Sequence, residues 1–448
     1  MAWPIWRAQF LIEIWPTESW NAYWQDAAAA WSPLYPAPES LIGNNYPPLS
    51  FYAVGILGKL LGLDNLFVGR ALSFVALGAL AIEVFAAVRL LTVDRIGAVV
   101  AALWYVAIMA RNSTIYIGAD DPQLAGLAIM GAGLVAFIKA WQRQASPMPA
   151  LLLIVLAGFW KHNNIAIPIT AVSWLWIMGS GHAYRATIRS IGAVFAGLCA
   201  CVLVFGINFI PNLLATRQYA WSNVMTNIGH LQWSALAFLI WAAWVIGDRR
   251  SVQAKFTALH ILVALAACIL QWLGHGVSGN AEFDFIFALA ICIGVTFNRV
   301  KASYVASRLG TNRTRDLIIV ALLLRLLAAD RQETALLFLS DDFRSSLYQT
   351  ERNVLFEAKQ VAAIPGDVGC ATKLICRAAG KRFAVDEFKM EELVATGRAT
   401  TGDISSLLAS RGVAWVPRML PTGAEADTSF LRWLGARAPR GNANYGDG

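Results

Sequence analysis

Long apolar runs, each closed by a short polar or basic break, repeat along residues 66–329. Runs near 66–88, 96–111, 121–139, 149–160, 164–180, 190–210, 232–247, 257–273, 283–298 and 316–329 read as membrane-spanning helices, because a helix needs about 20 mostly apolar residues to cross a bilayer. The runs 149–160 and 164–180 are short and flank Lys161-His162-Asn163-Asn164. They are either two tight spans or one broken helix. Ahead of these runs, residues 17–50 form a polar, aromatic, Pro-rich loop, and 48–63 a short interfacial helix. Trp3 to Trp15 is apolar but short, and Arg7 and Glu13 interrupt it. It reads as an interfacial helix, or as the remnant of a first span that starts upstream of Met1. No apolar stretch leads into a small-residue cleavage site, so it does not read as a cleavable signal.

The pattern changes near residue 330. Strands at 335–339, 367–371, 382–385 and 413–416 alternate with helices at 350–363, 372–379, 387–396 and 403–410, which suggests a small α/β domain. The stretch Gly435 to Gly448 reads as disordered. The expected division is a membrane domain over 1–329, with its first outer loop at 17–50, and a soluble α/β domain over 330–448.

Composition agrees with the pattern. The chain is 57% hydrophobic and 14% charged, against about 25% charged in soluble domains. The fold class is therefore a polytopic α-helical membrane protein of about ten spans with a small C-terminal α/β extracytoplasmic domain. The net charge of +8 is a property of loops: no basic patch interleaved with aromatics marks a nucleic-acid surface. Arg89 and Arg95, Lys139 and Arg143, Arg185 and Arg189, Arg249, Arg250 and Lys255, then Arg299 to Arg315 fall in alternate loops. Excess Lys and Arg mark the cytoplasmic side. The loop 17–50, the Asp120-Asp121 turn, Lys161-His162, and the loops 211–231 and 274–284 then share the outer face, provided both short runs cross. Of six cysteines, Cys199, Cys201, Cys268 and Cys292 lie in apolar runs and read as small hydrophobes. Cys370 and Cys376 are spaced for a local disulfide in an oxidising compartment, or are two free thiols.

Charge is scarce, so its placement is informative. Asp120 and Asp121 sit together at the start of a span, where desolvation is costly. Asp-Asp-Pro also suits a helix cap; one Asp can cap and leave the other free, with Asp121 narrowly favoured as the functional one. Two carboxylates this close resist double ionisation without a cation or donor nearby. Glu18 and Asp26 are two turns apart if 17–26 is helical, and can then share a face. They are ordinary solvated acids, or a general base and a group that positions a hydroxyl. Lys161 and His162 are span-end residues, or offer a cation to a phosphate. His275, Glu282 and Asp284 form a thin metal set, with one His beside two acids.

Taken together, these residues resemble the GT-C membrane glycosyltransferases, nearest the bacterial protein-mannosyltransferase and aminoarabinose-transferase kind. The matching segments are Glu18-Ser19-Trp20-Asn21, Tyr46-Pro47-Pro48-Leu49-Ser50-Phe51-Tyr52, Gly69-Arg70-Ala71-Leu72-Ser73, Gly118-Ala119-Asp120-Asp121-Pro122-Gln123 and Gly158-Phe159-Trp160-Lys161-His162-Asn163. The likeness covers about 15–180 and is topological beyond. It implies a polyprenyl-phosphate sugar donor, an acceptor on the outer face (envelope glycan, lipid or protein), inversion at the anomeric carbon, and a multi-pass place in the bacterial inner membrane. It implies Glu18, Asp120 and Asp121 as catalytic residues. Glu18 would deprotonate the acceptor, and Asp120 or Asp121 would orient it, or hold a divalent cation where members use one. Asn21, Asp26, Tyr46, Arg70, Lys161 and His162 would bind substrate, with Lys161 balancing charge on the departing phosphate. The chain departs from the pattern in lacking a complete first span and in having a single acid, Glu18, where an acidic pair is expected.

Two other classes compete. A transporter or lipid flippase would need ionisable residues deep within spans, where Glu83 is the main example. A scaffold would use residues 330–448 to bind an envelope partner.

Overall fold

The computed structural model describes residues 1–215, 217–327 and 332–416. Its helices run α1 Ala2–Arg7, α2 Thr17–Ala29, α3 Leu49–Leu61, α4 Asn65–Thr92, α5 Arg95–Asn112, α6 Pro122–Gln142, α7 Met148–Trp160, α8 Ala166–Ile177, α9 Ala183–Phe205 and α10 Phe209–Leu213. They continue as α11 Trp221–Asn227, α12 Ala235–Gly247, α13 Val252–Trp272, α14 Phe283–Arg299, α15 Tyr304–Leu309, α16 Thr311–Leu327, α17 Glu333–Leu339 and α18 Asp341–Ala363. Strand β1 Val368–Cys370, helices α19 Lys373–Ala378, α20 Glu387–Ala395 and α21 Thr401–Ser410, and strand β2 Ala414–Val416 close the described chain.

Among the described residues, six helical stretches are long and apolar enough to cross a membrane: 65–92, 122–142, 183–205, 221–247, 252–272 and 279–302. The chain is a multi-pass membrane protein. Aspartates set the starts of three bundle helices: Asp64, Asp94 and Asp121 accept from the backbone N–H of Leu66, Ile96 and Gln123, filling donors that a helix start leaves open. Helix α14 is apolar all round, and every residue from Phe283 to Phe297 is buried, as befits a helix at the centre of a bundle. Helix α9 is its opposite and buries just Ala183, Ala186 and Cys201.

The two short runs are separate antiparallel helices. At one end Gln123, at the start of α6, donates to Asn164 at 2.6 Å. At the other, Trp141 near the end of α6 packs edge-on against Trp174 of α8 at 5.3 Å. Helix α7 therefore arrives at the Asp120 end and α8 leaves it. Helix termini sort onto two ends in the way the loop charges foretell. Arg299 pairs with Asp248 at 2.9 Å, Arg315 with Asp94 at 3.7 Å, and Asn298 donates to Thr92 at 2.8 Å, all at the basic end.

The first residues do not cross the bundle. They form α1 and then turns, laid over the other end. Arg7 donates to the carbonyls of Thr114 and Ile117. Arg70 of α4 reaches up and takes the carbonyls of Ala8, Phe10 and Ile12.

Residues after 332 depart from the α/β expectation. The stretch 335–339 is helical within α17, not a strand, and 350–363 is the rear of the longer α18. Residues 382–385 form no strand pairing; among the described residues the sheet is β1 and β2 alone, parallel, with Val368 opposite Ala414. Short β-prone sequence gained a helical or extended form here because side-chain docking, not a ladder, satisfies it. Val385 packs with Leu41, Met390, Ile404 and Leu408, and Asp386 N–H donates to the Leu41 carbonyl at 2.9 Å. The Cys370–Cys376 disulfide closes the turn from β1 into α19. The stretch 435–448 and residues 328–329 lie outside the described residues.

Replacing Arg70 by Met should destabilise the fold by about 3–5 kcal/mol, the effect of leaving a buried carboxylate without its partner. Thermal unfolding in detergent would register it, and residues 1–16 should become protease-sensitive first.

Candidate functional site

The site lies at the end of the bundle opposite the basic loops. Helix α2 carries Glu18, Asn21 and Gln25 at three- and four-residue spacing, so they share one face. That face meets the α5–α6 turn. Asn21 Nδ2 donates to the Asp120 carbonyl at 2.6 Å, and Gln25 Nε2 donates to Asp120 Oδ1 at 2.8 Å. Asp26 is eight residues from Glu18, about 80° round the helix at 3.6 residues per turn. It does not share the Glu18 face. Its carboxylate takes a two-pronged grip from Arg377 at 2.7 and 3.0 Å and a bond from Asn65 at 2.8 Å.

Glu18 is fully engaged. Oε1 accepts from Arg70 Nε at 2.9 Å and Asp120 N–H at 2.8 Å; Oε2 accepts from Arg70 Nη2 at 2.9 Å and Ile14 N–H at 2.8 Å. A carboxylate has about four lone-pair sites, and all are taken. Arg70 is equally saturated: two bonds to Glu18 and three to carbonyls use its five donors. Both side chains are 1% exposed, and with every donor and lone pair engaged inside the protein neither has one left to offer a ligand.

The two aspartates divide their work. Asp121 is the helix cap, with Oδ1 accepting Gln123 N–H at 2.7 Å. Asp120 is the one that does not cap, so the capping role falls on Asp121, which the sequence narrowly favours as the functional residue. Asp120 is 2% exposed, and its Oδ2 has no hydrogen-bond partner among the described residues. Burial pushes the Asp120 carboxyl well above the usual carboxylate range; the Gln25 bond opposes this, and the nearby Glu18 and Asp121 charges add to it. Gly69 on α4 makes the approach possible: a Cβ there would stand 1.9 Å from Asp120 Oδ1.

Asp120 and Asp121 line a narrow cavity of about 10 Å³ with Asn21, Gln25, Ser50 and Trp160, room for roughly one water. Asn21 Oδ1, Gln25 Oε1 and Ser50 Oγ are buried there without partners, like Asp120 Oδ2. Four residues lining this cavity thus each carry a buried acceptor oxygen without a donor, and a hydroxyl donor is the natural complement of such an oxygen. An oxygen set also suits a hard divalent cation, held by Asp120 and Asp121 with the two amides. Among the described residues, however, no group of three or more His, Cys, Asp or Glu gathers at one point.

Lys161 breaks α7 with an extended backbone (φ −152°, ψ 114°) and turns inward. It is 1% exposed, with Nζ 3.1 Å from the centre of the Tyr46 ring, a cation–π contact. Gly126 on α6 admits it, since a Cβ there would lie 2.8 Å from Lys161 Cβ. Burial lowers the ammonium to about 7, the Asp121 charge opposing and Arg217 assisting. Tyr46 is fixed by Trp20 at 5.0 Å and by its own carbonyl, which accepts from Tyr35 at 3.0 Å. His162 is exposed and outside this group.

His275, Glu282 and Asp284 do not meet. His275 pairs with Glu392 of α20 at 2.6 Å, Glu282 accepts from Trp233 at 2.8 Å, and Asp284 accepts from Ala166 N–H at 3.1 Å. Gln25 and Ser50 were missed as candidates. Gln25 was recoverable from its i+4 relation to Asn21; Ser50 had no signal beyond its place after the Pro-Pro-Leu motif.

ArnT from Cupriavidus metallidurans in the apo state is similar over 90% of this chain and 88% of its own, with a TM-score of 0.56 and 12% identity. The chain has the GT-C fold of that ArnT structure. ArnT bound to undecaprenyl phosphate superposes with a TM-score of 0.49 at 13% identity, over 96% of this chain and 82% of that one. No protein-family model matches the chain, nor does any curated protein at the sequence level. Within this GT-C fold, the cavity and Lys161 occupy the ends of α6 and α7 that lie away from the basic loops.

Asp121→Ala should cost about 0.5–2 kcal/mol of stability through the lost cap. Asp120→Asn should leave stability unchanged or raise it, because a buried carboxyl becomes a neutral amide. Paired thermal unfolding of the two variants separates cap from free carboxyl.

Proposed function

We propose that this chain is a membrane glycosyltransferase that moves a sugar from a polyprenyl-phosphate donor to an acceptor on the extracytoplasmic face, with inversion. The observation that carries the reading is Asp120 Oδ2, buried and unpartnered beside a cavity lined by further unpartnered side chains, with the inward-turned Lys161 held on the adjoining helix end. The GT-C fold supports it. In this reading the ten apolar runs all cross, residues 330–448 lie outside the bacterial inner membrane, and the acceptor is an envelope glycan, lipid or protein.

The roles follow from which groups are free. Glu18 has no lone pair left for an acceptor proton, so Asp120 is the base. An acceptor hydroxyl lies among Asn21, Gln25, Ser50 and Asp120. Its oxygen attacks the anomeric carbon, its proton passes to Asp120, and the bond from that carbon to the lipid phosphate oxygen breaks with its electron pair. Lys161 meets the charge left on the phosphate. Attack and departure on opposite faces of the sugar invert the anomeric centre. Arg70 and Glu18 hold the frame, and Asp26 binds Arg377 in place of substrate. If a divalent cation binds, Asp120 and Asp121 hold it and it supplies further charge for the phosphate.

Asp120→Asn should lower release of lipid phosphate from a labelled polyprenyl-phosphate sugar by about 10²–10⁴-fold, the usual weight of a general base, with unfolding unchanged. Full activity would sink the reading. The free-enzyme rate, kcat/KM, should rise as Asp120 loses its proton and fall above pH of about 7 as Lys161 loses its charge. Lys161→Arg should carry the alkaline limb upward by two units or more, as arginine stays charged at any working pH.

A further inference from the structure

The sequence assigns everything after residue 330 to a soluble domain, yet part of it carries a surface unlike a soluble one. Phe338 and Leu339 of α17 are 67% and 84% exposed, and Tyr348 and Phe356 of α18 are also exposed. On α18, Tyr348, Arg352, Phe356 and Lys359 fall at spacings of four, four and three, so they share one face. All four are exposed. The opposite face is buried: Leu347, Ala358 and Val361 are the buried residues of the helix, and Ala358 and Val361 pack with Val368, Cys370 and Ile375. Asp341 and Asp342 are confined to the first turn, where Asp341 pairs with Arg344. Aromatic rings alternating with cations suit the water–lipid boundary, where rings enter the acyl region and cations reach headgroup phosphates.

The position of α18 fits that boundary. Near its start, Phe343 meets Trp3 at 5.0 Å and Tyr348 meets Phe10 at 4.8 Å, while Glu351 accepts Leu11 N–H at 2.6 Å. Residues 8–12 are themselves tied to Arg70 in α4. At its far end α18 packs on α19, whose Arg377 holds Asp64, the cap of α4, at 2.9 Å. Both ends of α18 are thus anchored to the same level of the bundle, so it runs along the boundary rather than away from it. In the chain, α17 begins at Glu333, shortly after α16, which ends at Leu327 and exposes Leu317, Val320 and Leu324.

We infer that α17 and the Tyr348–Lys359 face of α18 form an interfacial lipid-binding element, resting on the leaflet at the site end of the bundle with phospholipid headgroups as its partner. The inference is independent of the proposed reaction.

The test uses the full chain with Cys199, Cys201, Cys268 and Cys292 replaced by alanine, reconstituted in nanodiscs of phosphatidylethanolamine and phosphatidylglycerol. Spin labels are placed singly through Phe338→Cys and Phe356→Cys, with Ser410→Cys as the exposed control on α21. Collision with oxygen and with a water-soluble nickel chelate reports depth. Labels at 338 and 356 should favour oxygen and lie about 5–10 Å into the headgroup–acyl boundary, while 410 stays in water. Adding Arg352→Glu with Lys359→Glu should move the 356 label toward water. Water-like collision at both 338 and 356 would overturn the inference. So would labels shielded from both reagents, which would mean that protein covers the face.

Discussion

The Glu18–Arg70 pair is the constraint on which the site end of this protein depends. It joins α2 and the turns at 8–14 just before it to α4 and to the Asp120 backbone, both distant in sequence. A buried ion pair is seldom a source of large net stability, because desolvation offsets the attraction. Here the remaining lone pairs and donors are all satisfied, which is the condition under which such a pair is tolerated. Its effect is positional. With Glu18 holding the Asp120 N–H, and Asn21 and Gln25 holding its carbonyl and Oδ1, the carboxylate has one oxygen left, and that oxygen faces the cavity.

Small residues set how closely the helices approach at this frame. Gly69 gives Asp120 its place against α4, and Gly126 gives Lys161 its place against α6. The C-terminal residues press on the loop 17–50. Trp20 donates to Asp386 at 3.0 Å, and Tyr23 stacks on Phe383 at 4.9 Å. Arg377 grips both Asp26 and Asp64. The loop that carries α2 is therefore clamped from two sides, by α4 below and by α19–α20 above, and the face with Glu18, Asn21 and Gln25 has little freedom to turn.

Much of the bundle was legible from apolar run length and the alternation of basic loops, because both reflect the bilayer itself. The antiparallel course of α7 and α8 was not, since a short apolar run can end in a turn or a kink. The residues after 330 were the least legible. Short segments such as 335–339 and 382–385 have no periodicity long enough to distinguish helix from strand, and 382–385 took its form where Val385 and Asp386 dock on Leu41. Asp26 illustrates the same limit within the site: helical spacing allowed it near Glu18, but 80° of rotation gave it to Arg377.

The sequence by itself determined that this is a multi-pass helical protein, that its basic loops collect at one end of the bundle, and that Glu18, Asp120, Asp121 and Lys161 belong to the other end. Those facts follow from the cost of placing charge or unpaired backbone in lipid, which acts on every such chain alike. Tertiary structure alone decided which of these groups are free. Glu18 is saturated by Arg70, Asp121 caps α6, and Asp120 keeps an unpaired oxygen, because hydrogen-bond saturation depends on partners brought from up to about a hundred residues away and has no trace in local spacing.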